Sequence, residues 1–98
     1  MVSRIRVLYF DGCPHFEGTL DLVRTIAGEA AVDVLEVGDE RDAARLRFFG
    51  SPTVQVDGVD IEPSARRRTD FTLGCRLYGA SGLPPKRMIV DAIRGLET

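Results

Sequence analysis

The stretch Val7-Leu8-Tyr9-Phe10-Asp11-Gly12-Cys13-Pro14-His15-Phe16 decides how the chain is read. It opens on consecutive apolar residues rich in strand formers, the pattern of a strand covered on both faces. Arg4 to Phe10 is therefore expected to form a buried central strand. Asp11-Gly12 breaks the run as a turn. Pro14 suits a first helical position, where its missing N–H would have no partner anyway. Beyond it Phe16, Leu20, Val23 and Ala27 recur at helical spacing with Ile26 alongside, while Glu17, Asp21 and Arg24 occupy other faces. This predicts an amphipathic helix from about His15 to Glu29. Cys13 then stands between the end of a buried strand and the start of a helix.

Outward from this segment the pattern stays α/β. Val32 to Val37 alternates apolar and polar residues and predicts a half-buried strand. Gly38-Asp39 ends it. Asp39 is expected to cap a short helix with Glu40 and Asp42 in its first turn, with Ala43, Leu46 and Phe49 on its apolar side and Gly50 as its stop. Thr53 to Val56 and Val59 to Ile61 flank Asp57-Gly58, a strong hairpin signal. Glu62 to Leu83 reads as loop with one helical turn at most. A last helix begins near Pro84-Pro85 and carries Ile89, Ile93 and Leu96 on one face. The order β-α-β-α-β-β-α implies a right-handed parallel βαβ unit followed by a hairpin. A four-stranded mixed sheet flanked by helices, one domain over residues 1–98, is the economical arrangement.

Composition narrows the function classes. The chain has 98 residues, 44% hydrophobic and 29% charged, which fits an ordinary globular domain. A net charge of −2 provides no field that draws it to nucleic acid or to an anionic membrane. The apolar run near the N-terminus is too short for a signal peptide or a membrane span, so the expected location is cytoplasmic. Cys13 and Cys75 lie far apart in sequence and in no metal-finger spacing, and no metal site is expected.

Cys13 is the leading candidate for chemistry. Unpaired N–H groups at a helix start stabilise a thiolate, and such surroundings lower a thiol from about 8.5 into the range of roughly 3.5–7.5. His15, the only histidine, adds positive charge when protonated, and Asp11 opposes it. The alternative is a buried, inert cysteine. Cys75 is either a small apolar filler or a partner thiol. Arg66-Arg67-Arg68 reads as a solvated loop, or as a holder of carboxylates.

The run Tyr9 to Phe16, after a strand and opening a helix, resembles the active-site turn of the thioredoxin fold. Cys13-Pro14-His15 is similar to the turn of bacterial periplasmic disulfide oxidants, and Cys13-Pro14 to that of glutaredoxins. The element order agrees. Gly50-Ser51-Pro52-Thr53-Val54, ahead of the hairpin, is similar to the family's cis-proline segment. More narrowly, Asp11-Gly12-Cys13-Pro14, Gly50-Ser51-Pro52-Thr53 and Cys75-Arg76-Leu77-Tyr78 resemble pieces of small bacterial thioredoxin-like proteins, some labelled as relatives of alkylmercury lyase. The resemblance implies a thioredoxin-like fold, Cys13 as nucleophile supported by Pro14 and His15, Pro52 as the cis-proline, and Ser51 as the residue that contacts substrate backbone.

One residue departs from the family pattern. Phe16 stands where a dithiol oxidoreductase has its second cysteine, so the usual cycle within the motif is closed to this chain. Three routes stay open: Cys13 works as a monothiol resolved by glutathione or another small thiol, Cys75 is a distal resolving cysteine, or the scaffold binds without redox chemistry. The expected activity is thiol–disulfide exchange on a small-molecule or protein disulfide, with no cofactor beyond glutathione as co-substrate and no nucleic-acid or membrane partner. The alternatives are a non-catalytic module binding a peptide or partner, and a thiol protein for soft metals or organomercurials.

Overall fold

The computed structural model describes residues 4–28, 31–76, 78 and 82–95. In chain order the elements are β1 (Ile5–Tyr9), α1 (Phe16–Ala27), β2 (Val32–Glu36), α2 (Glu40–Leu46), β3 (Phe49–Ser51), β4 (Thr53–Val56), β5 (Val59–Asp60), β6 (Thr72–Cys75) and α3 (Lys86–Arg94). A single 3-10 turn, Pro63–Ala65, lies between β5 and β6.

The main sheet is mixed and four-stranded, in the order β2-β1-β4-β5. β1 pairs parallel with β2, Ile5 opposite Val32, and antiparallel with β4, Leu8 opposite Thr53. Its apolar run is explained by burial on both faces. Ile5 and Val7 join Leu20, Val23, Val54, Val56 and Ile89 in a core under α1 and α3. Leu8 joins Val37, Ala43, Leu46 and Phe48 in a second core under α2. The sheet thus separates two apolar clusters, with α1 and α3 on one face and α2 on the other.

Local signals account for most boundaries. Asp39 caps α2 as expected, its side chain accepting from the Asp42 N–H at 2.8 Å. Asp57 and Gly58 both take positive φ, 52° and 83°, the conformation a tight hairpin requires. α1 runs from Phe16 to Ala27, one residue later at its start than the spacing implied, and Glu29 lies outside the described residues. On α3 Ile89 is buried and Ile93 half-buried; Leu96 lies outside the described residues.

Two expectations need correction. α2 does not reach Phe49 or stop at Gly50. It ends at Leu46, and Arg47 caps it in the left-handed conformation (φ 57°), its N–H bonded to the carbonyls of Ala43 and Ala44. The Arg47 side chain supports this geometry, donating from Nη2 to the carbonyls of Arg66 and Arg68 at 2.9 and 3.3 Å and lying 5.2 Å over the Phe71 ring. Nor is the segment after Glu62 only loop. Thr72–Cys75 forms β6, which pairs parallel with β3 in a second, two-stranded sheet. The strands approach closely at Gly50, where φ is +103° and a Cβ would stand 2.9 Å from the Gly74 carbonyl oxygen. Only glycine meets both conditions there. Among the described residues no helix is long and apolar enough to cross a membrane.

Candidate functional site

β1 delivers the chain to Cys13 at one end of the main sheet. The Cys13 N–H closes the turn on the Phe10 carbonyl at 3.3 Å. Across the turn the rings of Tyr9 and Phe16 stack, with centroids 3.9 Å apart and planes 16° from parallel. This clips the end of β1 to the start of α1. Phe16 is thereby used in packing. His15 is the N-cap of α1 and supplies no side-chain cap. Pro14 accordingly precedes the cap and is not the first helical residue, a correction to the placement its chemistry suggested. The His15 imidazole packs against Gly82, where a Cβ would come within 2.7 Å of Nε2.

The Ser51–Pro52 peptide bond is cis, as the resemblance implied. Ser51 is wholly buried. Its Oγ accepts from the Phe10 N–H at 3.3 Å, and its carbonyl accepts from the Arg76 N–H at 2.9 Å. The first bond joins this segment to the turn of Cys13, and the second joins it to β6. In the β3–β6 register Ser51 stands opposite Cys75. Cys13 is half-buried and Cys75 exposed, and both thiols are free. Ser51 thus joins the turn that bears Cys13 through the Phe10 N–H and the strand that bears Cys75 through its own carbonyl.

The sequence reading missed the polar anchor behind this segment. The Arg76 guanidinium meets the Asp60 carboxylate in a bidentate pair, Nη1 to Oδ2 at 2.7 Å and Nη2 to Oδ1 at 2.9 Å. Nη2 also reaches Glu62 Oε1 at 2.8 Å. The Arg76 and Asp60 side chains are only 7% and 4% exposed. The Arg76 guanidinium lies 4.5 Å over the Tyr78 ring, and the Tyr78 hydroxyl donates to the Pro52 carbonyl at 2.9 Å. Burial alone would lower the Arg76 pKa, but the hydrogen bond and negative charge of Asp60, with Glu62, more than offset it and hold the group above its ordinary value. Burial also pushes the Tyr78 phenol up, against the opposing charge of Arg76. No spacing rule links positions 60 and 76. The hints are the Cys75-Arg76-Leu77-Tyr78 piece of the resemblance, which gave Arg76 no role, and an acid alternating with apolar residues through Val59-Asp60-Ile61-Glu62.

Among the described residues no group of three or more His, Cys, Asp or Glu side chains is placed to hold a metal ion. Among the described residues, fold and site define an α/β protein of one mixed four-stranded sheet, a two-stranded sheet and three α-helices, with a cis Ser51–Pro52 bond whose Ser51 is the register partner of Cys75. Set against protein-family models, curated proteins and solved structures, the chain matches none of them.

Proposed function

We propose that the chain is a thioredoxin-like thiol–disulfide oxidoreductase of the reducing cytoplasm whose nucleophile is Cys13. The observation that carries this reading is the hydrogen bond from the Phe10 N–H to Ser51 Oγ at 3.3 Å. It ties the turn bearing Cys13 to the cis Ser51–Pro52 segment, and Ser51 is the register partner of Cys75. α1 has no side-chain cap, so the amides of its first turn lend positive potential to an anion ahead of them.

In the first step the Cys13 thiolate attacks one sulfur of a substrate disulfide. The S–S bond breaks as the bond to Cys13 Sγ forms, and the leaving sulfur departs as a thiolate that takes up a proton. The helix amides and His15 steady the negative charge during exchange. Resolution follows one of two routes. The Cys75 thiolate attacks Cys13 Sγ, releasing the rest of the substrate as a thiol and leaving a Cys13–Cys75 disulfide; the substrate gains two electrons and the protein loses two. Alternatively, a glutathione thiolate attacks the substrate-derived sulfur and returns Cys13 as a thiolate. A backbone partner for Ser51 is already supplied by Arg76, and a substrate strand at that position would compete with β6.

The test is the rate of Cys13 alkylation in a Cys75→Ser protein. Labelling at neutral pH faster than that of a free cysteine is expected, together with loss of glutathione-exchange activity in Cys13→Ser and an unchanged circular dichroism spectrum. Alkylation no faster than that of a free cysteine, or full activity in Cys13→Ser, would remove the reading and leave a binding scaffold.

A further inference from the structure

We infer that Arg76 is a positioning residue for Cys75: its buried ion pair with Asp60 locks β6 in the register that sets Cys75 opposite Ser51, on the side of the sheet facing the Cys13 turn. The lock stands on geometry alone, while its redox consequence rests on the oxidoreductase reading of Cys13.

Within β6 only Leu73 packs against the second core, so its C-terminal half, Gly74-Cys75, has no core contact of its own to fix its register. The strand spans Thr72–Cys75, includes Gly74, is largely exposed, and pairs with a β3 that carries an irregularity between Phe49 and Ser51. Short, glycine-containing, solvent-facing strands are where registers slip. Arg76 follows directly and is held by Asp60, by Glu62 and by its own N–H on the Ser51 carbonyl. A slip of one residue would move its Cα about 3.3 Å and turn its side chain to the opposite face. Asp60, with its side chain 4% exposed, would then be a buried carboxylate without its cation, which is a heavily penalised state.

The register decides where the second thiol lies. Residues opposite each other in a parallel pair project to the same side of the sheet. Ser51 Oγ projects onto the Phe10 N–H at the start of the Cys13 turn, so Cys75 Sγ is presented on that side. In the exchange cycle this favours Cys75 over an external thiol: its thiolate attacks Cys13 Sγ of the mixed disulfide, the substrate leaves as a thiol, and the substrate disulfide is the oxidant.

The experiment equilibrates the full chain with mixtures of reduced and oxidised glutathione, quenches with acid, and weighs the products by mass spectrometry. The wild-type chain is expected to accumulate the Cys13–Cys75 disulfide. In Arg76→Met/Asp60→Leu, where the ion pair is replaced by apolar residues, the effective concentration of that disulfide falls by about tenfold or more and glutathionylated protein takes its place. A second variant, Gly74→Cys/Cys75→Ser, moves the thiol one position with the Arg76 anchor intact; the nearest atom to a Cβ at Gly74 is Thr72 Oγ1 at 3.7 Å, so the side chain has room. The same fall is expected there. The proposal is overturned if the wild-type chain forms only glutathione adducts. It is equally overturned if either folded variant, checked by circular dichroism, matches wild type. Iodoacetamide labelling of Cys13 in the fully reduced Cys75→Ser protein at neutral pH separates the two readings. Because the disulfide equilibrium measures approach and not rate, slow labelling would sink the oxidoreductase reading alone.

Discussion

Tyr78 hangs its hydroxyl on the carbonyl of Pro52 at 2.9 Å while its ring lies 4.5 Å beneath the guanidinium of Arg76. One side chain thereby connects the cis-proline segment to the buried charge of Arg76. Tyr78 is 4% exposed and Pro52 is buried, so neither partner of that hydrogen bond has bulk water as a substitute.

Replacing Tyr78 by Phe keeps the ring and removes the donor. The Pro52 carbonyl is then left buried without this partner, at a cost of about 1–3 kcal/mol. Urea denaturation of the two proteins should show a lower midpoint for Tyr78→Phe with an unchanged slope; equal midpoints would mean that the bond contributes nothing net.

The Tyr78 phenol also sets a limit in alkali. Burial raises it above its ordinary 10.0, so the folded chain holds this proton more tightly than the unfolded chain. Its contribution to stability is complete below about pH 10 and is lost as the pH rises beyond that point. In a Tyr9→Phe protein, phenolate absorbance should appear only together with loss of the circular dichroism signal. Phenolate formed in the folded chain near pH 10 would contradict the burial argument.

Gly50→Ala tests the contact between the two strands of the small sheet. The added Cβ meets the Gly74 carbonyl at 2.9 Å and Arg76 Cβ at 3.1 Å, at a φ of +103°. Backbone strain and separation of β3 from β6 together should cost about 2 kcal/mol or more. Gly12→Ala is the control, since its φ is +89° but nothing lies within 4 Å. There only the conformational penalty remains, about 1 kcal/mol. Equal melting temperatures for the two variants would show that the close approach is unimportant.

Thr19 is wholly buried on α1, and its Oγ1 has no hydrogen-bond partner among the described residues. Thr19→Val preserves the branched shape and removes a desolvated hydroxyl. The expected outcome is a gain of about 1 kcal/mol in thermal or urea unfolding. A loss of similar size would show that the hydroxyl is satisfied.

The parts of this fold readable in advance were those with a local cause. Asp39 caps α2 because its carboxylate needs only the amide of Asp42, and Asp57-Gly58 turns because both residues accept positive φ. β1 declared itself through an apolar run matched by its burial on two faces. The small sheet was hidden for equally physical reasons. Phe49-Gly50-Ser51 and Thr72-Leu73-Gly74-Cys75 each contain a glycine, which strands disfavour, and their pairing is distant along the chain. Gly50 read as a helix stop because glycine commonly is one, whereas Arg47 holds the left-handed position by bonds to carbonyls far along the chain. At the candidate site the cysteines and Pro52 were visible as residues, but the ion pair of Arg76 with Asp60 was not, since no period relates them.

The chain crosses from one sheet to the other in a single step: Ser51 ends β3, Thr53 begins β4, and only Pro52 lies between. Hydrogen exchange should divide along that joint. Amides of Val7 and Leu8, flanked by strands on both sides, wait for global unfolding, whereas those of β6 are released by local opening of a two-stranded unit. Within β6 protection should rise along the strand. The Thr72 amide bonds to the Phe48 carbonyl at 3.1 Å, while at the other end the Arg76 amide, just past the strand, bonds to the carbonyl of the buried Ser51 at 2.9 Å, on a residue held by its ion pair with Asp60. The strand therefore peels from its Thr72 end, and the thiol-bearing end is the last of it to leave.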